Sequence, residues 1–470
     1  MEQFRIRIEW TEPDPDWDGL DAATWGRVGF FVGDDCITSN HPADSRVPGD
    51  SEFLEGPISG LAEWVADNFV HVLWAIRTPF PIEEIGVNAP PIPGLRQASS
   101  GWSEYPIDCD MNQMGVWQHR HTFGHADSPL ALPSIVFLPE PRYVALAVDY
   151  PNTALDPTVR FTAPSSRPWP HLYVVRKEQL EEELGTFIER VINQASSTEE
   201  AKKWAAWLSN RWERSRSEAA DPETRIRVAL GDELSSIVRD ARSTHPRIAD
   251  TLADFLLDCS SSVREISSFL TEQLSSHLEP GGPDGAAWRR IANSGMDLSA
   301  PLFEQGYQLA RRVRSFLREE VAPLPTITAL LARVDVERDE PVHTTAFRAA
   351  AFGGRRFARI VPSADDERMR SVPSYRFAVS AALGRLLAAA CIDPSKPIAT
   401  AHGRYARLLE TRRANAFAVE LLLPRRVLEV RASVIREEGR VPQALCEDYG
   451  ISQSAANWHA YNAGVLSLRA

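Results

Sequence analysis

The 470-residue sequence predicts an α+β protein of several domains, on three observations. Apolar and polar residues alternate in short runs over the first 175 positions, the period of strands, around one long helical stripe. Stripes at helical spacing alone then run from 176 to 278. A Pro/Gly break at Pro280-Gly281-Gly282-Pro283-Asp284-Gly285 separates these from a last stretch of helices interrupted by one hairpin pattern. The expected layout is an α+β module over 1–175, a helical bundle over 176–279 and a linker over 280–300. A mostly helical domain with a small β-sheet follows over 301–440, then a pair of helices over 441–470.

In the N-terminal module, Phe4, Ile6, Ile8 and Trp10 alternate with Arg5, Arg7 and Glu9, as in a half-buried strand. Val28–Val32 and Cys36–Thr38 flank Gly33-Asp34-Asp35, which predicts a hairpin. Pro57 opens a helix whose Leu61, Trp64, Val65, Phe69, Val72 and Leu73 keep helical spacing. A second hairpin is expected from Ile135–Leu138 and Val144–Val148 around Pro139-Glu140-Pro141, with an edge strand at Val159–Thr162. One main helix on a mostly antiparallel sheet satisfies these patterns. Eight of the 13 tryptophans precede position 170, and most are expected in this module's core.

The same module carries the chain's candidate metal ligands, His119, His121 and His125. On a strand, side chains at i and i+2 point the same way, so His119 and His121 could chelate with His125, and Asp108, Cys109 and Asp110 add donors. The segment reads as a loop and its spacing fits no metal motif, so a hydrogen-bonded structural role is the favoured reading.

Leu180, Leu184, Phe187, Ile188 and Val191 form one helical stripe, and Trp204, Trp207, Leu208 and Trp212 a second. Asp221-Pro222-Glu223 is a helix start: a capping acid, proline at the first position, and a carboxylate near the positive end of the helix dipole. Ile248–Leu257 and Val263–Leu274 continue the bundle. Beyond the linker, Pro301–Arg318 predicts an amphipathic helix and Leu324–Val336 a shorter one. Val342–Ala351 and Arg356–Val361 predict a hairpin about Gly353-Gly354.

Tyr375 to Leu387 then reads YRFAVSAALGRLL, and Glu410 to Pro424 reads ETRRANAFAVELLLP. In this order and spacing they resemble the catalytic helix and the following helix of the ImmA/IrrE family of zinc metallopeptidases. The resemblance covers about Pro301 to Pro424 and implies a zincin-like fold whose small sheet borders a substrate cleft. The family's first stretch is typically RFTLAHELGHLL. Its HExxH element sets two imidazoles on one helix face to hold zinc, while the glutamate activates water.

Here those three positions are Ala381, Ala382 and Arg385. A methyl group neither ligates a metal nor takes a proton, and a guanidinium offers only donors and a permanent positive charge. No catalytic residue is therefore expected, and no zinc or other cofactor. Glu410 lies near the register of the family's carboxylate ligand, one residue further from Ala414-Asn415 than the expected form. An ion pair between Glu410 and Arg385 in place of the metal is one reading; a solvated surface glutamate is the other. Arg385, Glu410 and Asn415 make up the expected remnant of the cleft.

Active members of the resembled family are cytoplasmic peptidases that respond to stress or mobile elements by cleaving a repressor-type DNA-binding protein. With the ligands replaced, the expectation is a catalytically inactive sensor or regulatory adaptor. It would hold a protein or peptide, a repressor-type protein among the candidates, in the former cleft through backbone pairing. One alternative is a working peptidase with displaced ligands, for which His343, His402 and Glu410 are the substitutes at hand. The other is a DNA-binding regulator. Val441 to Leu466 resembles a helix-turn-helix whose second helix offers Gln453, Asn457 and His459, with no lysine or arginine before Arg469. Packing of these helices on the preceding domain is the favoured reading.

Composition bounds these options. Apolar residues at 43% and charged residues at 24% are globular values. Five scattered cysteines without a CxxC give no disulfide framework. No apolar run reads as approaching the ~20 residues of a bilayer span, and the N-terminus lacks the apolar region of a signal peptide. A cytoplasmic protein with no membrane partner is expected. The net charge of −13 is uneven. Between Ala286 and Arg440 bases outnumber acids by about nine, leaving roughly −22 on the remainder. Bulk acidity disfavours a nonspecific grip on nucleic acid, while complementary potentials favour internal or protein contacts.

Overall fold

In a computed structural model of the chain, Phe4, Ile6 and Ile8 face inward on strand β1 (Phe4–Trp10), as their alternation with charged residues requires. The structure describes residues 2–13, 15–42, 51–78, 111–126, 128, 130, 132–149, 159–162, 171–244, 246–259, 286–354, 358–403 and 407–466. Its class is mixed α+β with helices predominating. Two compact units separate between Gly231 and Asp232.

In the N-terminal unit a short helix α1 (Gly19–Ala23) follows β1. Strand β2 (Trp25–Val32) pairs antiparallel with β1, with β3 (Asp35–Cys36) and with β5 (Leu54–Pro57). Gly33 takes φ +59° in the tight turn between β2 and β3. A second antiparallel sheet runs β6 (Ser134–Pro139), β7 (Tyr143–Asp149), β9 (His171–Arg176). Strands β4 (Asn40–Pro42) and β8 (Val159–Phe161) form a separate pair. Both expected hairpins are present; β9, whose apolar run is only Leu172 to Val175, is an addition.

Helix α2 (Ser59–Trp74) is the expected main helix, and its Leu61, Trp64, Val65, Phe69 and Leu73 are buried in one core with Phe4, Phe30, Phe123 and Phe137. Helix α3 (Met111–His121) follows it in the described chain. The helices α4 (Lys177–Ser196), α5 (Lys202–Ala220) and α6 (Pro222–Leu230) also belong to this unit. Leu180, Leu184, Phe187, Leu208 and Trp212 enter the same core. The expected boundary at 175/176 therefore does not divide the packing. Trp207 departs from its expected stripe, being 42% exposed with Arg211 over its ring. Asp221 caps α6 as its sequence predicts, accepting from the Thr224 backbone N–H at 2.8 Å.

The C-terminal unit takes the rest of the expected bundle, α7 (Asp232–Thr244) and α8 (Pro246–Leu256). The predicted Val263–Leu274 helix and the 280–285 linker lie outside the described residues. Helices α9 (Ala287–Asn293), α10 (Leu302–Leu317) and α11 (Ile327–Arg333) precede a four-stranded sheet. Its strands are β10 (Glu337–Arg338), β11 (Ala349–Gly353), β12 (Ala358–Pro362) and β13 (Ile398–His402), in the order β10-β12-β11-β13. The β11–β12 hairpin is the expected one; β13, at the sheet edge and antiparallel to β11, had no separate sequence signal.

Helices α12 (Val372–Ile392) and α13 (Leu408–Leu422) carry the two motif stretches and pack on each other and on α10. At 21 residues, α12 has the length and apolar composition of a membrane span, contrary to the expectation that no run would. Two-thirds of its apolar window is buried inside the unit, so protein surrounds it. Its close crossings depend on glycine. A Cβ on Gly384 would lie 2.6 Å from the Phe417 ring of α13, and one on Gly306 of α10 would strike the Arg413 carbonyl. The chain continues in α14 (Arg425–Val430), α15 (Ala432–Glu438), α16 (Gln443–Tyr449) and α17 (Gln453–Asn462), which share a core with Tyr307 of α10 and Leu422 of α13.

Candidate functional site

Ser371 caps α12 and Pro373 enters its first turn, so the helix starts cleanly and carries Ala381, Ala382 and Arg385 into the interior. Ala381 is fully buried against Ala414 and Ala418 of α13, with Phe377 at the margin. Ala382 faces the main core of the unit. Small side chains on both helices let them approach closely, and methyl groups occupy the space where longer side chains would have to project.

Arg385 is 3% exposed. Its Nη1 lies 2.8 Å from Oδ2 of Asp258, two residues past the end of α8, and its Nη2 donates to the Thr411 hydroxyl at 2.8 Å. Arg407 approaches the same carboxylate with two bonds, Nε to Oδ1 at 2.8 Å and Nη2 to Oδ2 at 2.9 Å. The Thr400 hydroxyl of β13 donates to Oδ2 at 3.2 Å. Asp258 is fully buried. Burial alone would raise its pKa, but the guanidinium groups of Arg385 and Arg407 override that cost and hold the carboxyl well below its ordinary range. The pair with Asp258 in turn raises Arg407 against the opposing effect of burial. His402, buried beside this cluster at the end of β13, is held neutral by burial and by the positive charges of Arg348 and Arg385.

Glu410 does not pair with Arg385. It sits in the first turn of α13 and bonds Arg413 of the same helix, which also reaches Gln305 of α10 at 3.3 Å. Burial would raise Glu410; Arg413, Arg407 and Arg385 outweigh it and lower its pKa. The residue one step closer to Ala414, Thr411, is the one that touches Arg385. Asn415 is buried on α13. The Glu410–Arg385 ion pair considered from the sequence is not formed: Arg385 pairs with Asp258 and Glu410 with Arg413.

Glu420, in the second motif, has a structural task. It lies 3.1 Å from Arg311 Nε of α10 and accepts the Arg425 backbone N–H at 2.9 Å, fixing the start of α14. His459 Nε2 of α17 stands 3.2 Å from the same oxygen, Oε2, that accepts the Arg425 N–H, within ion-pair range but out of line for a hydrogen bond. Arg314 donates to the carbonyls of Leu421 and Leu422, satisfying the last turn of α13. These bonds tie the motif's second helix to its neighbours on both sides.

No match to a known family, a curated protein or a solved structure is found for this chain. Its site is therefore read from its own geometry. Ala381, Ala382 and Arg385 offer neither a ligand nor a base, and the donors of Arg385 that face Asp258 and Thr411 are engaged.

The other sequence candidates are dispersed. The segment bearing His119 and His121 is helix α3 with a following turn, where a strand or loop was expected. Residues two apart on a helix point to nearly opposite sides, so His119 is exposed while His121 is buried. His121 stacks on Trp117 with ring centroids 4.4 Å apart, and its Nδ1 contacts the Trp117 carbonyl at 2.8 Å. Burial pushes it down to about 3 and His71, its ring neighbour, down to about 4. His125 is exposed in the turn. Asp108, Cys109 and Asp110 lie outside the described residues. His343 is exposed beside Asp365, whereas His402 is buried. Among the described residues no three His, Cys, Asp or Glu side chains come together as a metal site.

The C-terminal helices use their polar residues internally. Gln453 donates to the Val441 carbonyl at 2.6 Å, Asn457 accepts the Val441 N–H at 2.8 Å, and His459 is buried. Sequence reasoning missed Asp258 and Arg407. The one available signal was an acid in Leu256-Leu257-Asp258-Cys259, directly after an apolar helical stripe.

Proposed function

We propose that this chain is a catalytically inactive relative of the ImmA/IrrE metallopeptidases, a regulatory adaptor or sensor whose C-terminal unit binds a protein or peptide. The observation that carries this reading is the Arg385–Asp258 ion pair. At a position where a peptidase needs an imidazole facing zinc, this chain has a guanidinium bonded to a carboxylate of its own. Ala381 supports the same reading, because its methyl group packs against Ala414 and Ala418. Removing a metal site by losing its ligands would leave a polar void; here a complementary charged group and close helix packing take its place.

The partner class is a repressor-type DNA-binding protein, bound without being cut. The test is a paired measurement on the natively purified full-length chain. Metal analysis should find far less than one zinc per chain, and incubation with a repressor-type protein encoded beside it should give a stable complex with an intact partner. Stoichiometric zinc, or a partner cleaved at a defined bond, would sink the proposal. Direct DNA reading by α17 is disfavoured, because Gln453, Asn457 and His459 are turned inward.

A further inference from the structure

Among the described residues no strand lies on the outer side of the edge strand β13, yet Ile398 to His402 are all buried. Helix α8 packs against it. Phe255 of α8 stacks on Phe352 of β11 at 5.6 Å and meets the edge of Phe347 at 6.0 Å. The Thr251 hydroxyl donates to the Pro397 carbonyl at 3.3 Å, just before β13. Asp258 then enters the fork of Arg385 and Arg407. One short segment therefore fills an aromatic pocket and an arginine pair in the same unit.

An ionic anchor is an uneconomical way to hold a permanent core contact. Desolvating three charged groups offsets much of their attraction, and apolar side chains of similar volume hold buried surfaces equally well or better. What a buried fork adds is selectivity: a carboxylate fits between Arg385 and Arg407, while an apolar or basic group there would leave both guanidinium groups without the carboxylate they bond.

We propose that α8 and Asp258 are a built-in occupant of a docking surface made by β13, Phe347, Phe352, Arg385 and Arg407, and that a partner segment with an aromatic residue three positions before a carboxylate takes their place. This rests on the reading of the C-terminal unit as a binding domain and names the chemistry of what it binds. Aromatic and acid at i and i+3 lie on one face of a helix, so a single helical end would satisfy the pocket and the fork together.

The probe is a fluorescein-labelled peptide of residues 246–259, titrated by anisotropy against the full-length chain. The natural chain should bind it weakly, because its own segment competes at high effective concentration. A Phe255→Ala, Asp258→Asn chain should bind it at least tenfold tighter, and a peptide carrying Asp258→Asn should lose that gain. A folded double variant that binds both peptides alike, or neither, overturns the proposal. If the double variant does not fold, native-state hydrogen exchange on the natural chain decides. Amides of α8 should open in a smaller event than those of α12 and α13, and simultaneous exchange overturns the idea. Zinc content and partner cleavage are read on the same samples. An inert, zinc-free chain that fails the peptide test removes this inference alone.

Discussion

Asp258 and Lys177 show burial of charge with opposite outcomes. Asp258 is satisfied by two guanidinium groups and a hydroxyl, so removing it takes the bonded carboxylate from buried Arg385 and from mostly buried Arg407. Asp258→Ala should destabilise the C-terminal unit by about 3–5 kcal/mol in urea melts, whereas replacing Asp258, Arg385 and Arg407 together by Leu, Met and Leu should recover most of that loss. Lys177 is the opposite case. Its amine is buried against the Trp74 ring at 3.6 Å with no hydrogen-bond partner among the described residues, and burial, aided by the charge of Arg225, brings its pKa down to about 7. The unfolded chain titrates at the ordinary 10.5. Between about 7 and 10.5 the unfolded state binds a proton that the folded state lacks, so stability rises with pH across that window; below 7 the full cost of the buried ammonium stands. Lys177→Met should flatten that slope and stabilise the N-terminal unit at pH 7 by up to roughly 4 kcal/mol, read from denaturant melts at pH 7 and 10.

The crossing of α10, α12 and α13 is set at the level of elements by two glycines. Gly384→Ala would place a methyl 2.6–2.9 Å from Phe417 side-chain atoms, which can shift in part. Gly306→Ala meets the backbone of Arg413 and Phe417, which cannot. Alanine gains about 1 kcal/mol of helix propensity at either position. Gly384→Ala should nonetheless cost about 1–3 kcal/mol and Gly306→Ala more, as thermal melts of the two variants would show by their order. These positions were legible as helix from their periodicity, but not as crossing points. Propensity disfavours glycine in a helix interior, and only the neighbour's backbone explains its presence.

Each unit, at the scale of the whole chain, has its own buried core: one built on Phe4, Phe30, Trp64, Phe69 and Phe137, the other on Trp288, Leu309, Val379, Leu383 and Phe417. Calorimetry of the full chain should therefore resolve two transitions, with Asp258→Ala moving one and Lys177→Met the other. A single transition shifted equally by both variants would contradict independent cores. The sequence placed a break at 280–285, whereas packing separates the units between Gly231 and Asp232, one residue after helix α6 ends. A Pro/Gly run marks where a chain can turn; it does not say which core the next amphipathic helix will join.

By itself the sequence determined most of the elements, because strand alternation and helical stripes are local records of which faces are buried. It also determined that Ala381, Ala382 and Arg385 supply neither a metal ligand nor a base, since side-chain type alone settles what a methyl or a guanidinium can do. The counter-charge of Arg385, the close helix crossings and the opposite exposures of His119 and His121 were decided only in the tertiary structure. Asp258 and Arg407 are 149 residues apart in sequence, and an ion pair formed over such a separation leaves no periodic trace in either segment.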